Sequence, residues 1–173
     1  LSRLYLRAKD YQSADKTSFT ALRLDPTSPL AMRQRLDYFS KIHNWLDMIK
    51  FADDCIQIHN EAIFHGYKAH AQYETHKYED AMISVNNAIS LNPDDWTYKK
   101  LRGQIATELQ QHSTAIESFK ELAGLTKQKS SFYWLGSAYM ESGDYENAIT
   151  TFAEIDALPA SPQYSTTYAD YLG

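Results

Sequence analysis

A column of small residues recurs along the chain at alternating steps of 34 and 33 residues. Its members are Ala14, Met48, Ala81, Ala115 and Ala148. A period of this size is typical of helical hairpins stacked on one another, because a single hairpin cannot bury its apolar face alone. The chain of 173 residues is therefore expected to contain about five similar helical units.

Further columns in the same phase indicate that each unit is a pair of amphipathic helices. An aromatic ring or its nearest substitute precedes each small residue by three positions, in the column Tyr11, Trp45, Tyr78, His112 and Tyr145. The column four residues after the small one is Ser18, Ala52, Val85, Phe119 and Phe152. This spacing places the columns on one face of an α-helix. A second, mostly small column lies twelve residues upstream, at Ser2, Leu36, Ala69, Gly103 and Gly136, and marks the crossing point of a preceding helix.

Breaks between units are predicted where proline disfavours helix in the residue before it, at Asp25-Pro26 and Asn92-Pro93. We expect the first unit to be truncated at its start, because its leading helix would need several residues before Leu1. We predict five units, at approximately 1–28, 29–61, 62–95, 96–128 and 129–161. Residues 162–173 are expected to form either a capping helix or the start of a sixth unit.

The most complete unit is the fifth, with the run Trp134, Leu135, Gly136, Ala138, Tyr139, Gly143, Asp144, Tyr145, Ala148 and Phe152. With this run and the in-phase columns, the chain resembles the tetratricopeptide repeat family along essentially its whole length. The resemblance implies an all-α fold, a right-handed superhelix (α-solenoid) of about five helix-turn-helix units plus a C-terminal helix. It also implies a protein–protein interaction scaffold that binds a partner in its concave groove. Similar arrays occur in bacterial envelope-assembly factors and in eukaryotic adaptors, so the resemblance specifies no compartment.

In that family the first helix of each pair faces the groove, which implies where a partner binds. The candidate partner-binding residues lie on first helices, away from the packing columns: Arg3, Arg7, Arg33, Asp37, Lys41, Tyr67, His70, Tyr73, Lys100, Gln104, Tyr133, Trp134 and Met140. We expect a protein or peptide ligand whose acidic residues pair with cations such as Arg33 and whose apolar anchor packs on rings such as Trp134. In the alternative hypothesis, the chain is a self-association or regulatory segment of a larger protein and forms homo-oligomers through its repeat ends.

Several partners are not expected. Arrays that clamp the C-terminal tails of chaperones use Lys, Asn and Arg, and the corresponding positions here include Asp37, Tyr67 and Leu101, which cannot hold a carboxylate in that way. A formal net charge of −5 argues against nucleic acid. The charge is uneven, because residues 1–60 hold 9 Lys/Arg against 7 Asp/Glu whereas residues 61–173 hold 8 against 15. No run of about 18 apolar residues is present to span a membrane.

Catalytic and cofactor-binding patterns are absent from the sequence. The six histidines do not reproduce the spacing of a His-Glu-x-x-His metal site, and the six glycines form no phosphate-binding loop. Cys55 is expected to be buried, because it lies in an apolar column of a second helix. We predict that the chain is not an enzyme, that it has no catalytic or metal-binding residue, and that it needs no cofactor.

Overall fold

The computed structural model describes residues 2–157, and every regular element in that range is an α-helix. The helices are α1 (Ser2–Arg7), α2 (Tyr11–Leu24), α3 (Pro29–Lys41), α4 (Trp45–Ile58), α5 (Ala62–Glu74), α6 (Tyr78–Leu91), α7 (Trp96–Glu108), α8 (His112–Thr126), α9 (Lys129–Ser142) and α10 (Tyr145–Ala157). The predicted all-α fold is confirmed. The helix predicted at 162–173 lies outside the described residues, and the division into five units stays a prediction.

Each odd-numbered helix ends in the same tight turn, which reverses the chain into the next helix. The turns place one residue in the left-handed conformation, at Lys9, His43, His76, Gln110 and Gly143. The second of these turns is closed by backbone hydrogen bonds from Ile42 N to Tyr38 O (3.1 Å) and from Asn44 N to Phe39 O (2.9 Å). Such short connections join antiparallel helices.

Several second helices begin at a side-chain cap, because the first backbone N–H groups of a helix have no partner within it. The Asp10 carboxylate accepts a hydrogen bond from Ser13 N (3.0 Å). Asp144 accepts one in the same way from Asn147 N (3.2 Å). The caps therefore determine where α2 and α10 begin.

The described residues divide into two compact units, which we call unit 1 (residues 2–77, α1–α5) and unit 2 (residues 78–157, α6–α10). The core of unit 1 is built on Met32, Leu36, Met48, Cys55 and Phe64, all almost fully buried. The core of unit 2 is built on Ala106, Ala115, Phe119, Leu122 and Leu135.

Glycines in the small-residue column let the paired helices of unit 2 approach closely. A β-carbon at Gly103 would lie 2.4 Å from Phe119 Cε1, and one at Gly136 would lie 2.5 Å from Phe152 Cε1. In both helix pairs, the phenylalanine ring of the second helix occupies the space that a side chain at the glycine of the first helix would need. The same close approach orients α7 on α8 and α9 on α10.

A column of cations that the sequence analysis did not single out joins first helices to second helices. Arg35 on α3 forms an ion pair with Asp15 on α2. In the same phase, Lys68 Nζ on α5 lies 2.6 Å from Asp53 Oδ1 on α4. Arg102 on α7 continues the column and contacts α8. These polar contacts, together with the apolar packing, help to orient neighbouring helices within each unit.

Candidate functional site

Three first helices of unit 1 meet at the buried carboxylate of Asp37, whose side chain is fully inaccessible to solvent. Its Oδ2 accepts a hydrogen bond from Arg3 Nε on α1 at 3.0 Å. Its Oδ1 accepts a hydrogen bond from the Tyr67 hydroxyl on α5. Burial raises the pKa of Asp37, and the bonds from Tyr67 and Arg3 oppose that rise. These two partners come from the neighbouring first helices α1 and α5.

The burial of three candidate residues in unit 1 differs from what the sequence analysis expected. Asp37 is 1% exposed, Tyr67 8% and His70 9%, so these side chains are largely enclosed by the fold and offer little surface to a partner. His70 packs edge to face on Trp45, with ring centroids 5.3 Å apart. Its Nε2 lies 3.6 Å from Glu74 Oε1.

The other candidates in unit 1 are more accessible. Arg7 is exposed, and Arg3, Arg33, Lys41 and Tyr73 are half-buried. Arg3 leaves 42% of its side chain exposed while it binds Asp37. Four of these five accessible candidates in unit 1 are therefore cations.

In unit 2 the candidate residues on α7 and α9 form one aromatic and cationic cluster. Trp134 is half-buried and stacks on Phe119, with centroids 5.6 Å apart and an interplanar angle of 21°. Lys100 Nζ lies over the Trp134 ring at 6.0 Å from its centroid, within reach of a cation–π interaction. Gln104, one turn further along α7, is also half-buried.

Two apolar residues of α9 are left exposed on one helical face. Tyr133 is 60% exposed and Met140 is 47% exposed. They are seven residues apart, so they lie two turns from each other on the same side of the helix. The Tyr133 ring also lies 6.0 Å from the ring of Phe152, which supports it from α10. This exposed face is the most accessible apolar part of the predicted site.

Two further side chains of α10 are exposed, and one of them, Tyr145, belongs to a predicted packing column. Tyr145 is 61% exposed, although Trp45 and Tyr78 in the same column are half-buried. Ile149 is 70% exposed.

The remaining ionisable groups do not suggest a reaction centre. Burial raises the pKa of the Cys55 thiol to about 12, as expected for a packing residue. Burial also lowers the pKa of His65, whose Nε2 lies 2.8 Å from Asn60 Oδ1. In the part of the chain that the structure describes, no group of His, Cys, Asp and Glu side chains could hold a metal ion. No helix between residues 2 and 157 is both long and apolar enough to cross a membrane.

Comparisons with known proteins give the same fold. Solved structures with similar architecture include MamA, at 18% sequence identity and a TM-score of 0.80, with 91% of this chain and 93% of that chain aligned. MamA from Desulfovibrio magneticus RS-1 is 16% identical with a TM-score of 0.80, covering 91% and 90%. The pilF protein of Pseudomonas aeruginosa is 17% identical with a TM-score of 0.79, covering 94% and 75%. At these identities the likeness shows a shared fold alone. No curated protein matches the sequence.

Sequence models of the tetratricopeptide repeat match at residues 68–131 and at residues 130–159. Together the two matches span more than half of the chain. The repeat forms a non-catalytic scaffold, and proteins that contain it bind protein partners. The general function of this chain is therefore protein–protein interaction. The in-phase columns, the paired helices and the sequence matches agree, and the chain belongs to the tetratricopeptide repeat family.

Proposed function

We propose that the chain binds a protein or peptide partner in the concave groove that its family forms from first helices. The observation that supports this function is the exposed face of α9, where Tyr133 and Met140 are 60% and 47% accessible. Aromatic side chains on well-ordered helices are common energetic anchors of interfaces. The partner would contribute an apolar side chain that packs against this face.

The packing beneath α9 explains why this face would bind at low entropic cost. Trp134 is stacked on Phe119, and Gly136 lies against the ring of Phe152. These contacts hold α9 at a defined position on α8 and α10, so the backbone that carries its exposed side chains is fixed before a partner arrives. A preorganised surface loses less conformational freedom on binding than a flexible one.

Unit 1 would supply a different kind of contact. Its accessible candidate residues are mainly cations, among them Arg7 and the partly exposed Arg3. The Asp37 carboxylate fixes the Arg3 guanidinium through a bond of 3.0 Å, which orients the rest of that group. Acidic side chains of a partner would be attracted to these cations, with affinity that falls as salt increases.

The experiment uses a peptide that has been selected by display for binding to the full chain. The affinity of the chain for this peptide is measured by titration calorimetry. We expect Tyr133→Ala to weaken binding by about 2 kcal/mol, the usual loss at an interface anchor. Ile83→Ala is the matched control, because Ile83 is 63% exposed on the second helix α6. Unchanged affinity for Tyr133→Ala, or an equal loss for Ile83→Ala, would contradict the proposed surface.

Self-association is a second candidate function, and the exposure of Ile149 favours it. Ile149 is 70% exposed, whereas Ile49, Met82 and Ile116 at the same phase pack partly buried against the unit cores. A second copy that covered Ile149 would complete the packing found at the other three positions. Light scattering over a range of concentrations tests this idea: Ile149→Asp should abolish any self-association and Ile83→Asp should not. A strictly monomeric wild-type chain would exclude it.

A further inference from the structure

The net negative charge of α7–α10 is concentrated at one end of the helices. Because neighbouring helices are antiparallel, the last turns of α7 and α9 lie at the same end as the first turns of α8 and α10. We call this the acidic end and define it by residues 104–113 and 137–147. It contains Glu108, Glu141, Asp144 and Glu146 but no Lys or Arg. The rest of residues 94–157 holds six Lys/Arg and six Asp/Glu, so the net negative charge of these helices comes from the acidic end.

Two of these carboxylates lack a stabilising role in the fold. Glu108 is the last residue of α7, and Glu141 lies in the last turn of α9. Negative charge at a helix C-terminus opposes the helix dipole, whereas Asp144 and Glu146 at the start of α10 complement it. Glu108 and Glu141 are exposed and form no ion pair with any described residue. Their charge is therefore available to a partner.

Exposed apolar side chains lie among these charges. Met140 is 47% exposed beside Glu141, and Tyr145 is 61% exposed on the other side of the Gly143 turn. Single exposed apolar residues are common on protein surfaces. Two of them lie near the carboxylates of Glu108 and Glu141, which form no ion pair with a described residue, and together they form a surface suited to a ligand with both cationic and apolar groups.

We propose that the acidic end docks a basic protein segment, with Lys or Arg residues against Glu108 and Glu141 and an apolar side chain against Met140 and Tyr145. The inference rests on the proposed function, since Met140 belongs to the exposed face of α9. It further specifies that the partner is positively charged where it contacts this surface. Charge complementarity selects the occupant, because an acidic segment would be repelled by four carboxylates with no cation among them. The aliphatic stem of Lys or Arg would also pack on the Tyr145 ring.

The test measures the binding of short fluorescein-labelled synthetic peptides to the full chain by anisotropy at low ionic strength. One peptide is made of Lys and Leu, and its uncharged counterpart carries Ser in place of Lys. The variant Glu108→Gln/Glu141→Gln removes two charges from the acidic end, and Asp94→Asn/Glu154→Gln removes two exposed charges from the opposite end. We expect the first variant to bind the basic peptide about tenfold more weakly, from two exposed charge pairs that each contribute severalfold. The second variant should bind within about twofold of wild type, since screening confines surface charges to short range.

The outcomes separate this inference from the proposed function. Equal binding of the basic peptide to both variants, or no binding to the wild-type chain, would overturn the assignment of a basic partner. Neither result would affect the loss expected for Tyr133→Ala with the displayed peptide. As a check on the apolar contact, Tyr145→Ser should weaken the Lys/Leu peptide and leave the fold intact, because Tyr145 is mostly exposed.

Discussion

The turn at the end of each first helix offers a direct test of how backbone conformation limits the stability of this chain. Gln110 adopts φ 56°, in the left-handed region, and Gly143 occupies the matching position one repeat later with φ 82°. A residue with a β-carbon is less stable in this conformation by about 1–2 kcal/mol. Glycine avoids that cost but loses about 0.4–1 kcal/mol through the greater freedom of the unfolded chain. Gln110→Gly should therefore stabilise the fold by about 0.5–1 kcal/mol.

Gln110 is a suitable site because it is exposed and its side chain forms no hydrogen bond with the residues that the structure describes. Its backbone N–H donates to Thr107 O at 3.0 Å, and glycine retains that bond. The assay is thermal and urea denaturation followed by circular dichroism. A gain of this size in a chain of this length corresponds to a rise in Tm of about 2 °C.

The reverse substitution is the control. A β-carbon at Gly143 would meet no atom within 4 Å, so Gly143→Ala changes the backbone preference without a steric clash. It should destabilise the fold by about 1 kcal/mol. A lower Tm for Gln110→Gly together with an unchanged Tm for Gly143→Ala would mean that these turns do not need a left-handed residue, contrary to this prediction.

Three further predictions concern packing and ionisation. Gly103→Ala should cost about 1–3 kcal/mol in urea denaturation by overpacking, because its methyl group would lie 2.4 Å from Phe119 Cε1, and adding Phe119→Leu should restore part of the loss. Cys55 should react with a maleimide only in urea, since its thiol is buried with a pKa of about 12; rapid labelling of the native chain would contradict this. Burial lowers the pKa of His65 below its ordinary 6.5, so the unfolded state binds the proton more tightly and stability should fall as pH drops through 6.5. His65→Gln should reduce that acid loss, and an unchanged pH profile would show that another group causes it.

The repeat period was enough to predict most of the packing. Ala14, Met48, Ala81, Ala115 and Ala148 are all at most 2% exposed, as their column predicted. A helix buries the face on which apolar and small residues recur, and that periodicity is written directly in the sequence. Cys55 was predicted to be buried for the same reason and is fully buried. The left-handed turns were less evident, because only Gly143 among them carries the residue that favours that conformation.

The exposure of the candidate site residues could not be predicted from the repeat period. Tyr67 and Trp134 occupy the same phase on their first helices, yet Tyr67 is buried on Asp37 whereas Trp134 is half-buried on Phe119. Their exposure is set by the size and charge of side chains on neighbouring helices, which differ from one repeat to the next.

The fold class, the helix pairs and the packing faces could be predicted from the residues alone, because these follow from local periodicity and turn chemistry. The bonds from Arg3 and Tyr67 to Asp37, across 34 and 30 residues, became evident only from how the helices pack. The tertiary structure also brought Glu108 to the same end as Glu141 and left both without an ion pair among the described residues. Contacts of this kind arise from the stacking of successive helix pairs, which joins residues on different helices that no pattern along a single helix relates.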